Sequence, residues 1–222
     1  MSTAEPVRRE RPGPIRTMLV DDHALLREGM RSLLEREESI VVVGEANTVE
    51  EALEGVGVCA PDVVVVDLKL TAGADYEGLR LISELSRLHP AIATLVLTTF
   101  LDDELVVRAV RSGAKGYVVK DIDTTELVRA IKSVSRGDSA FDPRSAAVVL
   151  RAVTGQGNPE TLTERERQVL RLLADGCANK KIGETLYISP STVKFHIRNI
   201  IRKMGVSKRT EAVYLASKRG LI

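Results

Sequence analysis

The fold of this chain is decided by the stretch Val63-Val64-Val65-Val66-Asp67-Leu68-Lys69-Leu70. Four β-branched apolar residues in a row, entered from Pro61-Asp62, predict a strand that is buried on both faces of a parallel sheet. In open sheets of this class, ligands bind beyond the carboxyl ends of the strands. Because Asp67 follows the strand directly, its carboxylate is expected at a ligand-binding edge.

Outward from this stretch, short apolar segments alternate with amphipathic helical patterns. Further strands are predicted at residues 15–20, 40–43, 94–98 and 117–119. Strands that alternate with helices form right-handed βαβ units and a parallel sheet covered by helices on both sides. The front of the chain is therefore predicted to be a doubly wound α/β domain of the flavodoxin-like type, with a five-stranded parallel sheet.

Polar side chains follow four of these strands. They are Asp21 and Asp22, Asp67, Thr98 and Lys120. Carboxylates that converge on one crevice repel one another unless a cation is present, and Mg²⁺ prefers such oxygen ligands together with water and phosphate. This set favours phosphoryl chemistry, in which Asp67 attacks phosphorus while the lysine and threonine bind the phosphoryl oxygens.

Residues 15–136 resemble the receiver domain of two-component response regulators in this set of residues. The resemblance implies that Asp67 accepts the phosphoryl group, and that Thr98, Lys120 and Tyr117 bind or respond to it. It also implies Mg²⁺ ligands at Asp21, Asp22, Asp67 and the backbone carbonyl of Lys69. The chain departs from the family pattern after the acceptor, where Thr71 replaces a common proline and Gly78 comes about three residues late. An enlarged loop is expected there.

Charge is distributed unevenly along the chain. Residues 162–222 hold 13 Lys+Arg and 5 Asp+Glu, a net charge of +8 where the whole chain has +1. An acidic front part joined to a basic back part indicates that the back part binds nucleic acid. No apolar run approaches the roughly 18 residues of a membrane helix. Cys59 and Cys177 lack a CxxC partner, which is typical of reduced thiols, so a cytoplasmic protein that does not contact membranes is expected.

The basic part has the pattern of a small helical domain. Thr163 and Glu166 predict a capping box at the start of one helix, and Ser189-Pro190 predict the start of a later one. In that later helix, apolar residues at helical spacing predict a buried stripe: Val193, Ile197, Ile200 and Met204. The side chains expected on the exposed side are Lys194, Phe195, Arg198 and Arg202. A tight turn between two helices, the second of them basic, predicts a DNA-binding helix-turn-helix.

The run LTERERQVLRLLADGCANKKIGETLYISPSTVKFHIRNIIRKMGV resembles the LuxR-type DNA-binding domain, and the whole chain resembles a response regulator of the NarL/FixJ kind. The resemblance implies a transcription regulator that a sensor histidine kinase phosphorylates on Asp67, with phosphorylation controlling homodimerisation and binding to double-stranded promoter DNA. It implies no enzymatic activity beyond self-phosphotransfer and slow dephosphorylation. The implied DNA contacts are Lys181, Ser191, Thr192, Lys194, Phe195, Arg198 and Lys203. Val213 and Ala216 of the final helix would make the dimer contact.

These patterns predict four segments: a disordered tail at 1–14, a receiver domain at 15–136, a linker with a short helix at 137–161, and the helix-turn-helix domain at 162–222. Two alternatives remain open. One is a DNA-binding regulator that acts without phosphorylation because its receiver is degenerate. The other is an aspartate-dependent phosphohydrolase, which needs a second Asp as general acid where this chain has Lys69.

Overall fold

A parallel sheet with helices packed on it forms the first part of the molecule. The structure, a computed structural model, describes residues 13–70, 76–99, 102–153, 162–186, 188 and 190–222, except for the side chain of Ser191. The chain divides into two compact units, Met1–Leu150 and Arg151–Ile222. The predicted tail, the loop after Leu70 and the hinge around Gly155 lie largely or wholly outside the described residues.

The sheet of the first unit has the order β2-β1-β3-β4-β5-β6, with every neighbouring pair parallel. Its strands are β1 (Ile15–Val20), β2 (Ile40–Ala46), β3 (Val63–Val66), β4 (Ala93–Thr98), β5 (Gly116–Val119) and β6 (Ala140–Phe141). The helices are α1 (Ala24–Leu34), α2 (Val49–Cys59), α3 (Glu77–Leu88), α4 (Asp103–Arg111), α5 (Thr124–Ser135) and α6 (Pro143–Val153). The predicted doubly wound α/β fold is confirmed.

Strand β3 lies inside the sheet between β1 and β4, as its four valines predict. All four valines are at most 2% exposed. Val63 and Val65 belong to a core that includes residues of α1 and α5, whereas Val64 and Val66 face the other side because side chains alternate along a strand. This double burial fixes the carboxyl end of β3, and with it the position of Asp67.

The prediction of five strands is wrong by one. Strand β6 pairs with β5 in parallel, Gly116 opposite Ala140 and Tyr117 opposite Phe141. Two residues are too few to show a strand pattern in the sequence. Gly116 permits the close approach, because a Cβ atom built on it would lie 2.4 Å from the carbonyl oxygen of Ala140. The segment predicted to be a linker thus begins with a strand of the sheet.

The second unit consists of four helices, α7 (Glu164–Ala174), α8 (Asn179–Leu186), α9 (Pro190–Met204) and α10 (Arg209–Lys218), within its described residues. The predicted capping box at Thr163 and Glu166 is present. The predicted stripe of α9 is confirmed, since Val193, Ile197, Ile200 and Met204 lie in the core that α9 forms with the other three helices. No helix in the described part of the chain is long and apolar enough to cross a membrane.

Candidate functional site

Two carboxylates and one ammonium group meet at the carboxyl ends of three strands. The Nζ atom of Lys120, after β5, donates to Asp21 Oδ2 and to Asp67 Oδ2, at 2.6 Å in each case. All three side chains are nearly buried, with exposures of 9%, 1% and 5% for Lys120, Asp21 and Asp67. The structure therefore brings together three of the residues that were predicted to converge at the carboxyl ends of the strands.

Lys120 keeps its charge in this place. Burial disfavours the ammonium, but the neighbouring carboxylates of Asp67 and Asp21 outweigh burial, so the pKa of Lys120 is raised above its ordinary value. A charged donor between two carboxylates forms shorter and stronger hydrogen bonds than a neutral donor. The site therefore holds a fixed positive charge within 2.6 Å of the candidate acceptor oxygen.

The acidic pair also contacts a residue that the sequence did not single out. His23 Nδ1 lies 2.8 Å from Asp22 Oδ1 and 3.3 Å from Asp21 Oδ1. Donor atoms of Asp21, Asp22 and His23 lie within 4.8 Å of one another, close enough to hold a metal ion. Their two carboxylates suit Mg²⁺, whereas an imidazole suits transition metals better. Receiver-type acidic sites bind Mg²⁺, and the donor chemistry at Asp21 and Asp22 fits that ion.

The backbone around Asp67 is held closely. Asp67 Oδ1 accepts a hydrogen bond from the amide of Lys69 at 3.2 Å. Gly78, in the first turn of α3, donates its amide to the carbonyl of Leu68 at 3.1 Å. A Cβ atom built on Gly78 would lie 2.2 Å from the carbonyl oxygen of Asp67. Only glycine fits there, and this contact explains why the chain has a glycine after its atypical loop.

Thr98 and Tyr117 are both completely buried beside this site. The backbone carbonyl of Thr98 accepts a hydrogen bond from the amide of Lys120 at 2.8 Å. Burial raises the pKa of Tyr117 well above its ordinary value, and the charges of Asp102 and of Asp67 act in the same direction. The phenol is therefore neutral at all physiological pH values.

Arg27 is a further residue of the site that the sequence did not indicate. Its Nη1 donates to the backbone carbonyl of Asp21 at 2.5 Å, and its Nε donates to Glu45 Oε2 at 3.0 Å. Glu45 also accepts a hydrogen bond from Arg31 at 2.9 Å. An arginine on an amphipathic helix is ordinarily a surface residue, so only the three-dimensional contact identifies it as a support for Asp21.

In the second unit, one side of α9 carries exposed cations. Lys194, Arg198 and Arg202 are all exposed, and on α8 Lys181 is exposed as well. A basic helix that follows a turn and begins with a proline has the features of the recognition helix of a helix-turn-helix. This exposed basic side suits the negative charge of a nucleic-acid backbone.

Comparison with known proteins assigns both parts of the chain to known families. Residues 17–132 match the response regulator receiver domain family, and residues 160–216 match the bacterial regulatory proteins of the luxR family. The chain is 37% identical over 208 residues to the DNA-binding transcriptional activator DevR/DosR of Mycobacterium tuberculosis (strain ATCC 25618 / H37Rv), a match that covers 92% of this chain and 94% of that protein. This chain belongs to the LuxR-family response regulators.

Other response regulators have the same organisation. The transcriptional regulatory protein LiaR of Bacillus subtilis (strain 168) is 35% identical over 94% of this chain and 99% of its own length. The crystal structure of ChrA, from a heme-sensing two-component system, matches with a TM-score of 0.53 and 33% identity over 95% of this chain and all of ChrA. This protein is thus a receiver joined to a LuxR-type DNA-binding domain, as in two-component transcription regulators of the NarL/FixJ type.

Three residues of this response regulator that were predicted to contact DNA have little exposed side-chain surface. Phe195 is 2% exposed and Thr192 is 5% exposed, so neither lies on the exposed side of α9. Lys203 is 7% exposed, and its Nζ donates to Glu166 Oε2 at 2.8 Å. The expected exposure of Phe195 is therefore wrong. The DNA contacts of Thr192 and Lys203 stay predictions, although Glu166 holds the ammonium of Lys203 inside the domain. Ser191 has no described side chain.

Burial also contradicts one of the two predicted dimer contacts, that of Ala216, whereas the contact of the partly exposed Val213 stays a prediction. Ala216 is completely buried in the core of its own domain, and Val213 packs against the same core. A side chain with no exposed surface cannot contact a partner subunit unless the domain rearranges. Tyr214, between them in the sequence, is 69% exposed and lies on the outer side of α10.

Proposed function

We propose that a sensor histidine kinase phosphorylates this response regulator on Asp67, and that the phosphorylated protein binds promoter DNA as a homodimer. The observation that carries the proposal is the ammonium of Lys120, which lies 2.6 Å from an oxygen of both Asp21 and Asp67. Such a cation, buried beside a carboxylate at the mouth of a parallel sheet, suits a site that receives a phosphoryl group.

In the phosphotransfer step, an oxygen of Asp67 forms a bond to phosphorus while the P–N bond of the kinase phosphohistidine breaks. The electron pair of that bond leaves with the imidazole, which takes up a proton from solvent. Lys120 then pairs with one phosphoryl oxygen, and the Thr98 hydroxyl donates to another. Asp21, Asp22, Asp67 and the carbonyl of Lys69 would hold Mg²⁺, which would neutralise the negative charge of the phosphoryl group. Slow attack of water on the acyl phosphate returns the free carboxylate.

The DNA-binding step uses the exposed basic side of α9. We place Lys194 and Arg198 at base edges in the major groove, because both are exposed and lie four residues apart, about one turn, on the same side of α9. Arg202 and Lys181 lie where they can neutralise phosphates, and the start of the helix at Ser191 faces the backbone of the duplex. A homodimer would place two such helices about one turn of DNA apart.

The acceptor assignment is tested with acetyl phosphate and MgCl₂ on the full-length protein. Intact mass should increase by one phosphate, and the adduct should be absent from Asp67→Asn. Asp138→Asn is the matched control, because Asp138 is exposed and forms an ion pair with the nearby, equally exposed Arg136. An adduct that persists in Asp67→Asn removes Asp67 from the role. A wild-type protein that takes up no phosphate but binds DNA supports the phosphorylation-independent alternative.

A further inference from the structure

One carboxylate joins the strand of the phosphorylation site to the helix that follows the receiver. Asp142 lies between β6 and α6. Its Oδ2 accepts a hydrogen bond from the amide of Val119 at 3.3 Å, one residue before Lys120. Its Oδ1 accepts from the amides of Arg144 at 3.0 Å and of Ser145 at 2.8 Å, in the first turn of α6. The two oxygens of a single side chain thus bind two different elements.

Ser145 adds a second link between the same two elements. It is completely buried, and its Oγ lies 2.9 Å from the carbonyl oxygen of Tyr117 and 2.8 Å from Asp142 Oδ1. A hydroxyl has one hydrogen to donate, so these two acceptors and the carbonyl of Asp142, at 3.2 Å, compete for it. The hydroxyl can therefore donate either to the strand or to Asp142 at the start of α6.

These contacts complete the outer edge of β5. The carbonyl of Lys115 accepts from the amide of Ala140 at 3.0 Å, and the carbonyl of Tyr117 accepts from the amide of Asp142 at 3.4 Å. Beyond that point β6 has ended, and the carboxylate of Asp142 takes the place of a strand partner for Val119. The edge of β5 that leads to Lys120 is therefore bonded first to β6 and then to Asp142 and Ser145 at the start of α6.

We propose that Asp142 and Ser145 are positioning residues that transmit the phosphorylation state of Asp67 to α6. The proposal rests on the proposed function. When Asp67 is phosphorylated, the ammonium of Lys120 exchanges its carboxylate partners for a phosphoryl oxygen, and β5 adjusts with it. Hydrogen bonds weaken steeply when their geometry changes by a few tenths of an ångström, so the cap of α6 responds to the position of Val119 and Tyr117.

The consequence lies in the chain that follows. Helix α6 leads in sequence to the DNA-binding unit, and its first turn is held by this cap. An N-cap contributes about 1 kcal/mol, which corresponds to about a fivefold change in the opening of the first helical turn. Phosphorylation would thus change the stability of the start of α6 without any contact between phosphate and that helix. This is a local two-state element biased by a change of charge.

The test is hydrogen–deuterium exchange of the full-length protein with acetyl phosphate and MgCl₂. The variants are Asp142→Asn, which keeps an oxygen for the α6 amides but turns an amide group toward Val119, and Ser145→Ala. Asp138→Asn, exposed and close in sequence, is the matched control. All proteins are compared at equal phosphate adduct by intact mass, and far-UV circular dichroism verifies the fold of each variant.

In wild type and Asp138→Asn, phosphorylation should change exchange of the amides in the first turn of α6 about fivefold. In Asp142→Asn and Ser145→Ala the same amides should exchange alike with and without phosphate. An equal response in all four proteins overturns the proposal, as does wild type that carries the adduct but shows no change in α6. If either variant fails to fold, the other decides. Wild type without any adduct contradicts the proposed function instead, and the proposal fails with it.

Discussion

The Nζ of Lys203 and the Oε2 of Glu166 form an ion pair of 2.8 Å between α9 and α7, with exposures of 7% and 1%. The same carboxylate oxygen accepts a hydrogen bond from the amide of Thr163 at 2.7 Å. The buried carboxylate of Glu166 therefore caps the start of α7 and forms an ion pair with the second half of α9. Lys203 stabilises the domain that positions the recognition helix and does not belong to its exposed basic side.

Lys203→Met should lower the free energy of unfolding of the DNA-binding unit by about 3 kcal/mol, because it leaves the charge of Glu166 buried and unpaired. Its effect on the salt dependence of DNA binding should be small. Arg202→Met should do the opposite, with little change in stability and a salt slope reduced by about 1, because Arg202 is exposed and is proposed to neutralise a phosphate. Urea unfolding and binding of the full-length protein to a random-sequence duplex at several salt concentrations measure both. A reduced salt slope in Lys203→Met would assign it to the DNA contact after all.

His196 should make this unit sensitive to acid. The side chain is 2% exposed, and burial lowers its pKa from 6.5 to about 4, while Glu166 opposes and Arg165 and Lys203 reinforce the shift. The folded state favours neutral imidazole, so this contribution is complete above pH 6.5 and is lost as the pH falls toward 4. The full loss is about 3 kcal/mol.

The measurement is urea unfolding of wild type and His196→Gln at several pH values. The difference in unfolding free energy between the two proteins should change across this window, and should be constant above pH 6.5. Acidic groups of the receiver titrate equally in both proteins and cancel in the comparison. A difference that stays constant down to pH 4 contradicts the buried neutral histidine.

Gly78→Ala should displace the backbone of Asp67 and thereby impair the phosphorylation site. The new methyl group would meet the carbonyl oxygen of Asp67 at 2.2 Å and the Cα of Leu68 at 2.6 Å, both backbone atoms that cannot rotate away. We expect about 2 kcal/mol of destabilisation and slower phosphate uptake from acetyl phosphate. Gly57→Ala is the matched control, since it lies in α2 with nothing within 4 Å of the added atom.

The control should gain about 0.5–1 kcal/mol, because alanine favours a helix more than glycine does. Thermal unfolding gives the stability, and intact mass against time gives the uptake of phosphate. Equal stability and equal phosphate uptake in the two alanine variants would contradict the close packing of α3 against the backbone at Asp67.

Ala216→Leu should destabilise the DNA-binding unit by about 1–3 kcal/mol, because the added atoms overfill a core in which Ala216 has no exposed surface. Tyr214→Ala should alter the free energy of unfolding by no more than about 0.5 kcal/mol, because that side chain is mostly exposed. Urea unfolding compares them. Equal free energies of unfolding for the two variants would contradict the burial of Ala216 and would again allow Ala216 to contact a partner subunit.

The sequence was sufficient for features that repeat along the chain. Alternating strands and helices predicted the doubly wound sheet, and the strand-end rule brought Asp21, Asp67 and Lys120 into one site. It was insufficient where a residue's environment depends on distant partners. A lysine is ordinarily a surface residue, and the side chain of Lys203 is buried because Glu166 pairs with its charge. Arg27 likewise has a functional position only because β2 brings Glu45 to it.

More residues of α9 were predicted to be exposed than the structure exposes, and the reason is geometric. A helical wheel on which only the apolar residues are assigned to the core leaves every other residue facing solvent. In the structure α9 packs against α7, α8 and α10, so polar residues such as Thr192 and His196 are buried as well. Strand β6 escaped prediction because two residues carry no period, and its pairing depends on the absence of a side chain at Gly116.

Strand β6 also determines where this protein can be cut. The receiver family match ends at residue 132, inside α5, and a fragment that ends just after this helix, at Arg136, lacks both β6 and the carboxylate of Asp142. Its outermost strand would present the backbone groups of Lys115, Tyr117 and Val119 to solvent. Unpaired strand edges can form hydrogen bonds with strands of other chains, so such a fragment should self-associate and precipitate. A fragment that extends through Val153 keeps β6 and Asp142 paired with the edge of β5.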